Sequence, residues 1–253
     1  MTGRPTRDAP PPFTGFPPEA LRFLRQLARH NDRDWFTPRK GEFEAYCRVP
    51  MEALVAAVNE RIKRFAVQYA VAEPKKALYR IYRDTRFSKD KTPYKTHVAA
   101  HFSRRGYARN AGPGFYVQVS PEGFGIAGGL YMAGPEELRA VRTALAADVA
   151  GWEKVACGRR LVAAMGEVQG ASLTRPPRGF EHVAGTPAER WVRMKQWFCW
   201  READPEAVLS PLLVRAISER IEAMVPMCEW LHAALARGGG DEEHRPVRPE
   251  PMF

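Results

Sequence analysis

Between Ala77 and Tyr131 apolar and polar residues alternate, as in "THVAAHF" and "FYVQV", while on both sides of that stretch apolar residues recur every three or four positions. A period of two suits a strand buried on one face, and a period near 3.6 suits a helix. The chain therefore reads as helices, then a sheet, then helices. "SPEG" at 120–123 supplies a turn between two strands. The expected fold is α+β, with a central, mostly antiparallel sheet over about residues 77–131 flanked by N-terminal and C-terminal helices.

Local signals place the helices. Pro17-Pro18-Glu19 opens the first, with Leu21, Leu24, Leu27 and Ala28 at helical spacing and Asn31-Asp32 as a stop. A second follows Pro50, with Met51, Leu54, Val55, Val58 and Ile62 on one face. Gly134-Pro135-Glu136-Glu137 starts a third, whose stripe of Leu138, Val141, Leu145, Val149 and Trp152 is expected to pack on the sheet. Thr186-Pro187-Ala188-Glu189 has the form of a capping box, which predicts a helix through "ERWVRMKQWF". The last helix should begin near Ser210-Pro211 and carry Leu213, Ile217, Ile221 and Met224, with Pro226 kinking or breaking it. Both ends are rich in proline, glycine and charge, so residues 1–12 and 237–253 are expected as disordered tails around a single domain at 13–236.

No apolar run approaches the roughly eighteen residues of a membrane span, and "MTGRPTRDAPPPF" has no apolar core of a secretory signal. The expectation is a cytoplasmic protein with no membrane partner. Cys47, Cys157, Cys199 and Cys228 form no C-x-x-C and are expected as buried free thiols. The net charge of +10 is concentrated: residues 75–109 hold eleven Lys or Arg, Arg109 among them, and two Asp, which is +9 of the total. That is a local basic patch on an otherwise balanced chain.

Other motifs lack their context. Gly123-Phe124-Gly125-Ile126-Ala127-Gly128 fits G-x-G-x-x-G, but its last glycine does not open a helix, so the glycines relieve crowding within a strand or hairpin. His97 and His101 would share one face of a strand, yet no third ligand has a recognisable spacing, and no metal site is predicted. Asp84 and Asp90 lie among cations that hold a carboxylate ionised, which makes either a poor general acid.

The basic run "YRIYRDTRFSKDKTPYK" sets Arg80, Arg83, Arg86, Lys89, Lys91 and Lys95 against only Asp84 and Asp90. On a strand through 79–87, Arg80, Tyr82, Asp84 and Arg86 would face one side and Tyr79, Ile81, Arg83, Thr85 and Phe87 the other. Asp84 clamped between Arg80 and Arg86 is a structural alternative to a site. Two carboxylates cannot neutralise six cations, so the excess calls for an anion from elsewhere.

The pattern Arg80-x-x-Arg83-Asp84-x-Arg86-Phe87-x-x-Asp90-Lys91-x-x-Tyr94 resembles the signature of the conserved-hypothetical family called domain of unknown function 2461, as do "FTGFPPEALRFLRQLARHNDRDWF", "YVQVSPEGFGIAGGLY" and "LTRPPRGF". The resemblance spans about residues 13–235 and implies one domain, with no reaction, cofactor or substrate attached. It adds Arg175 and Arg178, and Asn31, Asp32, Arg33 and Trp35, as polar loop residues expected to converge on the basic segment. The expected site takes a phosphate-bearing small molecule on Arg80, Arg83, Arg86, Lys91, Arg175 and Arg178, with Asp84 and Asp90 orienting the cations and Tyr94 donating a hydroxyl. The alternatives are a nucleic-acid-binding module, with Tyr79, Tyr82 or Phe87 stacking on bases, and a protein-interaction domain whose charges form a structural network.

Overall fold

A computed structural model describes residues 11–238 except Phe87, Arg109 and Asp204. The tails expected at 1–12 and 237–253 thus lie almost wholly outside the described residues. A helix, Pro18–Arg29, and a run of single helical turns lead to the helix Val49–Ile62. Three antiparallel strands follow, β1 (Val98–Ser103), β2 (Gly114–Ser120) and β3 (Gly123–Leu130), and then the helices Pro135–Ala147, Val149–Ala156 and Arg159–Met165. A fourth strand, β4 (Trp197–Ala203), and the 25-residue helix Leu213–Arg237 complete the order. The sheet runs β1-β2-β3-β4, every pair antiparallel.

The α+β architecture is the one the periodicity predicts. "SPEG" is a two-residue connection, with β2 ending at Ser120 and β3 starting at Gly123. The glycine-rich string lies inside β3, where Gly125 has a tryptophan ring over it: a Cβ there would fall 2.1 Å from the Trp200 ring. Its glycines therefore make room for packing and cradle no phosphate.

One face of the sheet packs on the long C-terminal helix, which lies against β3 and β2. Ala100, Phe102, Phe115, Val117, Phe124 and Ile126 enter this core with Ile217, Ile221, Met224 and Met227 from the helix. Pro226 lies inside that helix and does not break it. It sits on the exposed side, and the buried residues before and after it outweigh the roughly 3 kcal/mol that an interior proline costs.

The helix expected through "ERWVRMKQWF" is a single turn, Glu189–Val192, followed by β4. Two local facts explain the difference. The Thr186 hydroxyl donates backward to Val183 O at 2.7 Å instead of capping forward, and the buried Arg142 guanidinium donates to Val192 O and Met194 O at 2.9 and 3.0 Å. Carbonyls held that way cannot continue a helical ladder, and the chain pairs with the edge of β3 that is otherwise unpaired. The sheet therefore extends beyond 77–131.

Helix Pro135–Ala147 begins as predicted, with Gly134 N–H donating to the Glu137 carboxylate at 2.5 Å. It packs on the C-terminal helix and the turn Glu189–Val192, not on the sheet. Val141 and Leu145 are fully buried, Leu138 is only partly so, and Val149 belongs to the next helix, which Asp148 caps. Of the four cysteines, Cys47, Cys199 and Cys228 are buried, and burial pushes the first two thiols up to about 12; Cys157 is exposed, against expectation. Among the described residues no helix is long and apolar enough to cross a membrane.

Leu145, 0 % exposed, lies where these helices meet. Leu145→Ala should lower the unfolding free energy by about 2–5 kcal/mol, a cavity cost read from denaturant midpoints. A change below about 0.5 kcal/mol would show that this helix is not part of the core.

Candidate functional site

The basic run is not a strand. Among the described residues an isolated bridge joins Tyr82 with Tyr94 within it, and another joins Leu78, just before it, with Ala100 of β1. Tyr79 N–H donates to Ala99 O at 2.9 Å, so the chain adds one short edge pairing to β1 and then leaves the sheet. Tyr79 and Ile81 consequently enter different apolar clusters, where strict alternation had put them on one face. The closed ends of the loop are held by Arg83 N–H to Pro93 O at 2.9 Å and Lys95 N–H to Ile81 O at 2.8 Å. Between them Arg83, Asp84, Arg86, Asp90 and Lys91 project from a compact surface loop.

The N-terminal segment does converge on this loop. The Asn31 side chain donates to Tyr94 O at 2.8 Å and accepts from Tyr94 N–H at 2.9 Å, taking both backbone groups as a neighbouring strand would. The Tyr94 ring is 4 % exposed and stacks on Phe36 at 4.2 Å between centroids. Its main role is therefore anchorage, and burial raises its hydroxyl pKa, with Tyr82 adding to the effect. Asp32 accepts from Trp35 N–H at 2.8 Å, starting the turn that brings Phe36 to Tyr94.

Within the loop the charges pair locally. Asp84 takes the Arg86 guanidinium at 3.0 and 2.7 Å and the Arg86 backbone N–H at 3.2 Å. Asp90 accepts from Thr92 N–H and Oγ1, each at 2.9 Å, and pairs with Arg83. Hydrogen bonds from Arg86 hold the Asp84 carboxyl down at about 2, and bonds from Thr92 and then Arg83 hold Asp90 at about 2. Both aspartates thus act on the cations as fixed anions. Lys91 Nζ donates to Thr85 O at 2.8 Å, and Lys95 Nζ donates to Arg80 O at 3.1 Å. A carbonyl satisfies the ammonium's hydrogen bond without neutralising its charge. Arg80, Arg86, Lys89 and Lys91 are exposed, as is Tyr82.

Arg175 and Arg178 are also exposed, but at the other side of the sheet. Their loop follows the bridge of Gln169 with Phe198 of β4, and Leu173 N–H donates to Arg193 O at 2.9 Å, whereas the basic loop hangs from β1. Arg175 and Arg178 thus lie on a loop that adjoins the β4 edge of the sheet, and the basic run on one that adjoins the β1 edge.

A second feature escaped the sequence reading. The sheet face opposite the C-terminal helix carries its own small cluster, Tyr79, Ala99, Tyr116 and Ala127 with Trp200 against it. Strand register aligns His101, Tyr116, Ala127 and Trp200 across all four strands. Beside this row is a cavity of about 50 Å³, bordered by Tyr79, His101, Asn110, Tyr116, Tyr131 and Phe198. The alternation in "FYVQV" puts Tyr116 and Gln118 on one face, but nothing local indicates which face the C-terminal helix covers.

His97 precedes β1 and is buried, its pKa lowered to about 4 by burial and then by Lys95. His101 pairs through Nδ1 with Ser103 Oγ at 2.9 Å. Among the described residues no group of three or more His, Cys, Asp or Glu is placed to hold a metal ion.

The family described as conserved hypothetical protein (DUF2461) matches residues 19–230. No curated protein and no solved structure matches the chain.

Two measurements test this anchorage and pairing. Asn31→Ala leaves the N–H and carbonyl of buried Tyr94 unpaired, so it should destabilise the fold by about 1–3 kcal/mol in denaturant unfolding; an unchanged midpoint would show that the clamp is dispensable. The carboxyls of Asp84 and Asp90 should titrate with midpoints at about 2, below the usual 3.8, in carbon-detected NMR. Because the folded values are depressed, the pairs contribute fully above about pH 4 and are lost as pH falls through about 2. Midpoints near 3.8 for both would mean that the loop pairs do not form.

Proposed function

From the geometry of this chain, which belongs to the DUF2461 family of conserved hypothetical proteins, we propose that the loop between Tyr82 and Tyr94 binds the phosphate groups of a ligand. The observation that carries the reading is the density of exposed cations on a held loop. Six cations and two anions lie between Arg80 and Lys95 in the sequence; Arg83 and Arg86 each hold an aspartate, Lys91 donates to a backbone carbonyl that leaves its charge in place, and Lys89 and Lys91 are exposed. The closed ends and the Asn31 clamp hold this excess in place, so little ordering cost remains when an anion arrives. Asp84 fixes the Arg86 fork in orientation, and Asp90 does the same for Arg83. Arginine and lysine so placed would also stabilise negative charge developing on a substrate.

Openness favours a second reading, a phosphate backbone in place of a small molecule. The paired side chains are partly or largely exposed, Arg86 at 76 % and Asp90 at 57 %, and Tyr82 is 45 % exposed among the cations. Such a stripe with an exposed ring suits single-stranded nucleic acid, in which bases stack while cations follow phosphates. The same exposure weakens the structural-network alternative, because solvent-exposed ion pairs contribute little to stability.

Arg86→Gln and Lys91→Gln should leave the unfolding midpoint unchanged and weaken phosphate or nucleotide binding, measured by calorimetry and by unfolding with and without ligand. Severe destabilisation of both variants, together with no effect of phosphate, nucleotide or oligonucleotide on the parent, would overturn the reading. A nucleic-acid ligand would show a log–log salt slope of about −0.7 to −0.9 per phosphate contacted.

A further inference from the structure

A second basic surface adjoins the loop. Between Arg22 and Lys40 the chain holds six cations and two aspartates, the same ratio as between Arg80 and Lys95, and carboxylates elsewhere conceal it in the whole-chain count. Helix Pro18–Arg29 turns Ala20, Leu21, Phe23, Leu24 and Leu27 into the core. On its opposite side it presents Arg22, Arg25 and Arg29 to solvent, about one arginine per turn, and exposed Arg33 follows. The helix ends where Asn31 holds both backbone groups of Tyr94, so the arginine row and the basic loop adjoin at that clamp. We propose that this row is a binding surface for a nucleic-acid strand whose phosphates continue onto it from the loop. The proposal rests on the phosphate reading of the loop and extends it from one anionic group to a polymer.

The spacing of the row is unfavourable for the helix by itself. Other helical cations sit one turn from a carboxylate, as Arg48 does from Glu44 and Arg215 from Glu219. Arg22 has Glu19 at 3.4 Å, but the residues one turn before and after Arg25 are Arg22 and Arg29. Like charges at i,i+3 and i,i+4 repel and destabilise a helix. A polyanion laid along the row removes that repulsion and releases its own condensed counterions. The turn that carries Arg33 is fixed to the helix, with Trp35 packed on Phe23 at 5.4 Å between centroids, so the row is held in place before a ligand arrives.

Three features select nucleic acid among polyanions. Every member of the row is arginine, whose planar fork meets a phosphate with two parallel hydrogen bonds, where lysine offers a point charge. Tyr82, 45 % exposed and edge-on to Phe36 at 6.5 Å, offers a ring on which a base can stack beside the loop cations. The apolar side of the helix is buried in the core, so it has nothing to insert into a lipid surface, as a helix lying in a membrane interface must.

The test uses three probes: a deoxythymidylate strand of about fifteen residues, at the upper end of such sites, inorganic phosphate, and vesicles of phosphatidylserine and phosphatidylcholine. Fluorescence anisotropy reads the strand, calorimetry the phosphate and cosedimentation the vesicles. Each is measured on the parent, on the triple variant Arg22→Gln, Arg25→Gln, Arg29→Gln, and on Lys91→Gln. Glutamine matches arginine in helix propensity, so the unfolding midpoint of the triple variant should hold. That variant should bind the strand at least about tenfold more weakly in low salt, with a log–log salt slope shallower by about 2, three contacts at about 0.7 each. Its phosphate binding should be unchanged, whereas Lys91→Gln should weaken strand and phosphate alike. A strand that binds the parent and the triple variant with equal affinity and slope would overturn the arginine row and leave the phosphate reading of the loop standing. A strand weakened by the triple variant but not by Lys91→Gln, with no phosphate bound by the parent, would support the row and overturn the loop reading. Failure of the parent to bind the strand would overturn the proposal, and vesicle binding that the triple variant abolishes would then identify an anionic membrane as the partner.

Discussion

The burial of one sheet face against the helix Leu213–Arg237 governs the rest of the molecule. That helix supplies Ile217, Ile221, Met224, Met227, Cys228 and Leu231 to the core, each 1 % exposed or less. Full burial of such side chains stabilises by roughly 1.5–3 kcal/mol each relative to exposure, which is large against the 5–15 kcal/mol by which domains are stable. The second face forms a smaller cluster of its own, Tyr79, Ala99, Tyr116 and Ala127 with Trp200 against it, and its residues are also buried.

The basic loop depends on a different kind of interaction. Its own charges cannot hold it, because exposed ion pairs are weak and are screened by salt. What holds it is neutral: the Asn31 amide on both backbone groups of Tyr94, the Phe36 stack on the Tyr94 ring, and the backbone bonds at Arg83 and Lys95. Anchorage and charge are therefore separable. A cation on the loop can be replaced without loosening the loop, and the anchor can be weakened without altering the charge.

How much of this was legible in the sequence follows from what each feature requires. The antiparallel hairpins and the helices Pro18–Arg29, Val49–Ile62 and Leu213–Arg237 could be read because local periodicity and turn residues determine them. The positive excess was legible because charge counting needs no geometry. β4 was not, because "ERWVRMKQWF" has helical local signals and becomes a strand only through Arg142, from the helix Pro135–Ala147, and the open edge of β3. Arg175 and Arg178 were assigned to the basic site through the family resemblance, and the bridges put their loop at the other edge of the sheet. The Asn31–Tyr94 clamp joins residues 63 positions apart, a separation that no local pattern reveals.

The face turned away from the helix was the least legible feature, and for a general reason. Alternation shows that a strand has two faces but not which of them a later helix will cover. Here the residues of both faces are largely apolar: Phe115, Val117 and Val119 point to the helix, and Tyr116 points away from it. The distinction lies in the kind of apolar residue. The helix-covered face is built from aliphatic side chains, phenyl rings and Trp197, whereas the other face carries Tyr79, His101, Tyr116 and Trp200. Tyr79, with Lys95 Nζ 5.3 Å from its ring centroid and its hydroxyl donated to Asn110, is the position at which the sheet and the base of the basic loop meet.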